Sequence, residues 1–461
     1  MIQPERIQRL NEEPIRGGTY VLYWMQASQR TTFNHALEHA IDRANELRLP
    51  VVVGFGLTDD YPDSNARHYA FMLQGLSDVS ATCAKRGLAF VIRKGSPDKI
   101  AVQLAADAAL VVCDRGYLRH QRAWREHVAL HAGCPVVQVE SDVVVPVQAA
   151  SDKQEFAART IRPKILKLRE RFLVPLKQRR VRVDAAKIDL KSDIDVSDPE
   201  AALSGLKVDG SVSVSKRLLG GEVEAQRRLK SFVSKKLAKY PDDRNEPSLS
   251  ATSMLSPYLH FGQISPLDIS LAVNASHAPK ASKEDFLEEL IVRRELAVNF
   301  VYYQSKYDDF TCLPEWAQRT LRAHRRDKRS TVYTRDQLEA AQTHDEYWNA
   351  AQREMTGTGF MHNYMRMYWG KKIIEWTRTP QEAYRATLYL NNKHFVDGRD
   401  PVSYANVAWL FGLHDRPWAE REIFGTVRYM NAAGLERKFD MEAYIKMVDS
   451  LVPSPSGRGS G

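Results

Sequence analysis

Cysteine is scarce: Cys83, Cys113, Cys134 and Cys312 are the only four in 461 residues, and none has CxxC or Cys/His ligand spacing. That excludes a disulfide scaffold and argues against a zinc or redox-thiol function. Long apolar runs are missing too. Val51-Val52-Val53-Gly54-Phe55-Gly56-Leu57 falls far short of the roughly 20 residues that span a bilayer. The start, MIQPERIQRLNEEPIRGG, has no apolar signal region, so a cytoplasmic protein without a membrane segment is expected. No Walker A, GxSxG or HExxH motif occurs, which removes phosphoryl transfer, serine hydrolysis and zinc proteolysis as first choices. Charge bias is slight: 66 Lys+Arg against 57 Asp+Glu leave +9, a balance that permits an anionic partner without requiring one. With 43% hydrophobic and 27% charged residues the chain is globular, and at roughly 100–200 residues per domain it holds two or three units.

What the chain does have is ordered patterning. Across 1–145, β-branched runs at 20–24, 50–53, 89–92, 110–113 and 136–139 alternate with helical stretches such as 34–48. This spacing predicts a Rossmann-like α/β domain with a parallel sheet covered on both faces. Gly54-Phe55-Gly56 is the front half of a dinucleotide fingerprint without its third glycine, so a plain buried strand end competes with a ligand loop. Residues 146–220 turn basic and polar, with Lys177-Gln178-Arg179-Arg180 and an Asp/Ser/Gly-rich 192–215, and read as an interdomain linker. Across 221–450, apolar positions recur every three or four residues, predicting an all-α domain with helices at 222–239, 284–304, 335–342, 345–356, 360–378, 381–391 and 402–411. Residues 451–461 end in Ser454-Pro455-Ser456-Gly457-Arg458-Gly459-Ser460-Gly461, a disordered tail or an expression remnant.

Four groups of residues could carry chemistry. Thr252, Ser253 and Ser256 precede Pro257, where a helix can begin with free N–H groups; they are ordinary caps or a phosphate holder. Arg366, Trp369, Ile373 and Trp376 share one helical face, with the two indoles about 10 Å apart along the axis. That face is a core stripe or an electron path beside a redox cofactor, and Trp348 could extend it. Glu289 borders an apolar stripe of Phe286, Leu290, Ala297 and Val301; it is a solvated pair with Arg293 or a pocket acid. Trp409, His414-Asp415-Arg416 and Trp418 mix aromatics with cations, as stacking on exposed bases requires, and Arg319, Arg322, Arg325, Arg326, Lys328 and Arg329 add phosphate contacts or a solvated face.

Taken in order, these segments resemble the class II cyclobutane pyrimidine dimer photolyases of the photolyase/cryptochrome superfamily. The likeness covers residues 20–445. It rests on Tyr23-Trp24-Met25, Gln29-Arg30, Asn34-His35-Ala36-Leu37, Leu255 through Ser265, Met361-His362, Tyr364 through Trp369, Ile374-Glu375-Trp376, Asp397-Gly398-Arg399-Asp400-Pro401 and His414-Asp415-Arg416. The resemblance implies an antenna domain followed by a helical domain that binds FAD and DNA. It implies that Tyr240 and Thr252, Ser253, Met254, Leu255 and Ser256 hold the FAD phosphates and ribitol. Arg366 and Asp397 would pair near the flavin ring, and Asn391 would face its N5. Trp348, Trp369 and Trp376 would pass electrons inward. Arg244, Asn245, Glu289, Met367 and Trp409 would line the cavity for a flipped-out dimer, with Glu289 protonated or sharing a proton with a thymine carbonyl. Arg416 would fill the gap in the duplex, supported by Trp418.

The implied activity is that of a carbon–carbon lyase: reduced FAD (FADH⁻) absorbs blue light and splits the dimer by electron transfer in UV-damaged DNA. A deazaflavin (8-hydroxy-5-deazaflavin) or folate antenna would sit in the first domain. No metal, membrane or obligate protein partner is implied, and the expectation is a monomer in the cytoplasm, nucleoid-associated in a prokaryote. The competing reading is a cryptochrome-like photoreceptor that keeps FAD without repair. Arg293 in place of a tryptophan, Asn363 and Ala419 in place of glycines, and a shortened 410–413 loop depart from the family pattern.

Overall fold

Five apolar runs and one unforeseen polar one build a single six-stranded sheet. The strands are β1 (Ile7–Arg9), β2 (Tyr20–Trp24), β3 (Val51–Leu57), β4 (Ala89–Lys94), β5 (Ala108–Asp114) and β6 (Val136–Val139), in the order β1-β6-β5-β2-β3-β4. The computed structural model describes residues 2–452, so of the tail expected at 451–461 all but the first two residues lie outside the described residues, and Leu451 ends the helix Met441–Leu451. β2 to β6 run parallel, with Tyr23 opposite Val53 on one side and Val112 on the other. β2, β3 and β5 are buried along their whole lengths, which is why they read as continuous apolar runs. Val21 and Tyr23 face helices His35–Leu47 and Ala66–Lys85; Tyr20, Leu22 and Trp24 face Pro97–Ala105 and Arg119–His131.

β1 pairs antiparallel with β6 and carries no strand pattern. It is held from outside by Arg6, whose buried guanidinium donates to the carbonyls of Glu140, Val143 and Val144. The Gly54-Phe55-Gly56 motif lies inside β3, so the ligand-loop reading is corrected to the strand reading. A Cβ on Gly54 would stand 2.7 Å from Leu104 Cδ1, and one on Gly56 2.6 Å from Pro97 Cα. These glycines let the Pro97–Ala105 helix press against the strand.

β2 lies between β3 and β5, so successive connections leave it in opposite directions and open a crevice at the carboxyl ends. There Asp114 accepts the N–H groups of Gln26, Ala27 and Ser28 at 2.9 Å each.

Within 146–220 the structure has a 15-residue helix, Ala158–Phe172, burying Ile161, Ile165 and Phe172. Pro163 inside it and the basic composition hid that helix from the sequence pattern. Beyond it the chain is helical. The stretch expected as one helix at 284–304 is continuous but not uniform: Lys280–Leu287 passes into a wider π turn, Glu288–Arg293, and then Arg294–Tyr303. The extra residue per turn re-phases the helix. Glu289 and Arg293 face a cavity, whereas Arg294 donates to the Asp142 carbonyl and Glu295 accepts the N–H groups of Val144 and Val145, docking the helix on the sheet unit. No helix among the described residues is long and apolar enough to cross a membrane.

Candidate functional site

The helical part encloses a cavity of about 540 Å³. Six separated segments bring the expected residues to it. Tyr240, Arg244 and Asn245 come from the short Tyr240–Asp243 helix and its end; Thr252, Ser253, Leu255 and Ser256 come from the loop entering Ser256–His260; Arg366, Asp397 and Trp409 close the far side. Glu289 enters from the π turn.

Glu289 does not pair with Arg293. It accepts from Arg244 Nη2 at 2.8 Å, and Arg244 also reaches Asp285 at 3.3 Å. Arg293 binds Glu288 instead, at 3.2 Å, beside a two-bond contact of Glu288 with Arg162. Both side chains border the same cavity, and each takes a different partner there. Arg244 is itself steadied from two sides: its guanidinium carbon is 5.2 Å from the Tyr240 ring centre, and its carbonyl accepts from His362 Nε2 at 3.0 Å. His362 Nδ1 accepts the Tyr364 N–H, which leaves the proton on Nε2. Burial pulls this histidine down to about 4, so it stays neutral.

Arg366 donates to both carboxylate oxygens of Asp397, at 3.2 and 3.3 Å, and to the Met361 carbonyl at 3.0 Å. Its guanidinium carbon lies 3.8 Å from the Phe395 ring centre. Asn391 is buried behind them, donating to Ser403 Oγ at 2.6 Å; it lines a smaller adjoining cavity with Met367, Trp369 and Trp409. Met254, expected among the cofactor contacts, has its side chain outside the cavity lining. Its backbone is left-handed at φ 55°, and its Sδ is 3.8 Å from Arg228 Nη1 and 4.0 Å from Arg217 Nη2.

The three tryptophans form one buried stack in an order that the helix spacing does not show. Trp348 lies between the other two, 6.4 Å from Trp369 with rings near parallel and 5.6 Å from Trp376. Its indole N–H donates to the Trp369 carbonyl, while the Trp369 indole donates to Gln352.

Arg416 and Trp418 stand apart from the cavity on an exposed hairpin. The Trp418 ring is sandwiched between the guanidinium groups of Arg416, at 4.9 Å, and Arg428, at 5.2 Å. Arg428 was not foreseen, and the only signal for it is its place on the returning arm, after the Trp418-to-Thr426 backbone bond.

A relative from Methanothermobacter thermautotrophicus described as a deoxyribodipyrimidine photo-lyase is 50% identical over 98% of this chain and 100% of its own length. The chain belongs to the DNA photolyase family. The family model itself, DNA photolyase, matches residues 21–181. Among solved photolyase structures, the class III enzyme of Agrobacterium tumefaciens superposes with a TM-score of 0.75 at 19% identity, over 94% of this chain and 86% of that one. The archaeal photolyase of Sulfolobus tokodaii, solved with two FAD molecules, gives 0.69 at 14% identity over 94% and 90%. These two share the photolyase/cryptochrome fold with this chain: a parallel-sheet unit followed by helices.

The residues present suit a dinucleotide. Hydroxyls of Thr252, Ser253 and Ser256 face the cavity, and behind their loop Arg217, Arg228 and Lys236 crowd together. Burial, reinforced by the neighbouring guanidinium groups, pulls the Lys236 ammonium down, and buried Arg217 Nη1 has no hydrogen-bond partner. Such a cluster fits a diphosphate. A second cavity of about 90 Å³ sits at the carboxyl ends of β2 and β3, walled by Phe55, Tyr61, Tyr69, Trp124 and Phe261. Three buried polar atoms of its lining residues lack partners: Gln29 Oε1, Arg125 Nη2 and Arg399 Nε. A flat aromatic ligand with acceptor atoms matches that lining. The two cavities touch through His260 of the small one, 3.3 Å from Asp400 of the large one. His68 and Arg399 line the small one, yet His68 contacts the Phe395 carbonyl at 3.0 Å, Arg399 donates to the Asn392 carbonyl, and Asn392 donates to Asp63.

Proposed function

We propose that this chain is a light-dependent DNA repair lyase that takes a cyclobutane pyrimidine dimer into the large cavity and splits it beside FAD. The observation that carries the reading is the meeting of Arg244, Glu289 and Trp409 with the hydroxyl loop and the Arg366–Asp397 pair in one cavity. Bound there, FAD in its reduced form supplies light-driven one-electron chemistry with no net redox change.

The chain's own residues do the rest. Thr252, Ser253 and Ser256 bind the phosphates and ribitol, helped by the cations behind them; Arg366 and Asp397 fix the ring, and Asn391 presents its amide to N5. Trp409, Met367 and Asn245 receive the flipped bases, and Arg244 and Glu289 address their carbonyls. Because Glu289 is committed to Arg244 in the empty site, an incoming carbonyl takes one partner from that pair. The guanidinium donates to that carbonyl and Glu289, sharing a proton with it, then helps stabilise the negative charge developing on the dimer. Trp376, Trp348 and Trp369 carry electrons inward to restore the reduced state. Arg416 and Trp418, joined by Arg428, occupy the space that the dimer leaves in the duplex. The small cavity at the sheet holds a light-harvesting deazaflavin or folate. The reading also takes 1–145, 146–220 and 221–450 as antenna unit, connector and catalytic unit, in a cytoplasmic monomer with no obligate protein partner.

A photoreduced preparation should restore thymines in an oligonucleotide carrying one thymine dimer under blue light and not in the dark. Glu289→Ala and Trp409→Ala should each cut repair by on the order of tenfold or more. Bound flavin without repair would replace this reading with a photoreceptor.

A further inference from the structure

A fully buried lysine stands where the lesion cavity meets the DNA-facing turn, and no step above uses it. Lys371 lies two residues after Trp369 on the Asn363–Trp376 helix and is 1% exposed. Its ammonium donates to the carbonyl of Leu410, the last residue of the Pro401–Leu410 helix. A helix end leaves that carbonyl without an internal partner, and it is the one next to Trp409. Gly370 makes the approach possible, because a Cβ there would come within 2.1 Å of Leu410 Cδ1. No carboxylate among the described residues pairs with Lys371 within 4.0 Å. A buried ammonium without a counter-ion is costly, and an apolar chain of similar length would fill the space.

We propose that Lys371 is a positioning residue for lesion recognition: its ammonium ties down the end of the Pro401–Leu410 helix and the following turn, aiming Trp409 at the cavity and Arg416 at DNA. The proposal rests on the photolyase reading. Lys371 shares the smaller cavity with Trp409, Asp415 and Arg428. Burial pulls its ammonium down to about 7, with Asp415 opposing and Arg428 adding to the shift. DNA arriving at Arg416 and Arg428 brings phosphates, and their negative potential favours the protonated lysine. Lesion binding above neutral pH therefore takes up a proton. The other charged group on the cavity that these residues share is Arg366, on its own helix.

Calorimetry of the dark holoenzyme with a duplex carrying one thymine dimer, in two buffers of different ionisation enthalpy, tests this. The wild type should take up a fraction of a proton at about pH 8 and almost none at about pH 6, with affinity falling several-fold between them. Lys371→Met should lose the uptake and bind about tenfold more weakly at about pH 6. Wild-type binding without uptake at about pH 8 overturns the proposal whatever the variant does. So does a Met variant that binds like the wild type. Absence of dimer-specific binding at either pH overturns the photolyase reading instead.

Discussion

Replacing Glu295 by glutamine should change the pH dependence of folding in a direction fixed by the site. Glu295 is 3% exposed and lies six residues past Glu289 on the same helical run. It accepts the Val144 N–H at 2.6 Å and the Val145 N–H at 3.3 Å. Burial dominates and lifts the carboxyl to about 8, although the two N–H bonds and the cations of Arg294 and Arg6 pull it down. With a folded value above the unfolded one, the group contributes most at acid pH, and the contribution is lost as pH rises towards about 8. The loss is at most about 1.4 kcal/mol per pH unit. Glutamine keeps the acceptor oxygen and cannot ionise. Urea unfolding of both proteins, compared at each pH, should show the variant gaining about 2 kcal/mol on the wild type between about pH 6.5 and 8. Taking the difference cancels the histidines, such as His35 and His68, that burial holds well below their usual range. A difference that stays constant within about 0.5 kcal/mol would refute the assignment of a buried, protonated carboxyl.

Two further substitutions probe the tryptophan stack and the closest helix contact. Trp348→Phe removes the middle indole and should slow light-driven reduction of oxidised flavin by on the order of tenfold or more, while chemically reduced protein splits dimers normally; flash photolysis with unchanged reduction would sink the electron path. Gly370→Ala should cost about 1–3 kcal/mol by overpacking against Leu410, read as a lower urea midpoint; an unchanged midpoint would mean that the two helices separate freely.

The sheet was legible because strands buried on both faces must be apolar throughout, and runs such as Val51-Val52-Val53 allow little else. β1 was not, since Ile7-Gln8-Arg9 is held by Arg6 and an edge partner 130 residues away rather than by its own pattern. The helix at Ala158–Phe172 was masked by Pro163, though its buried positions 161, 165 and 172 keep helical spacing. Trp369 and Trp376 share a helix and could be related by their separation. That Trp348 stands between them is a packing fact of two helices. The same holds for Glu289, whose partner Arg244 is 45 residues earlier: local spacing suggested Arg293, but Arg293 pairs with Glu288, a choice made by packing that spacing does not show. The resemblance assigned Tyr240 and Asp397 to the cofactor and Arg244 and Asn245 to the lesion, which periodicity could not do; all four line the large cavity.

Under the proposed reading, the contacts that join the small cavity to the large one have an optical consequence. Energy passed between two dyes depends steeply on their separation and on the tilt between them. With His68 and Arg399 each serving the first cavity while gripping 392–395 beside Asn391, and with Arg67 holding the carbonyls that end the Trp348 and Asn391 helices, neither quantity is left to a hinge. In the proposed reading, the light passed from the antenna to FAD is set by these contacts.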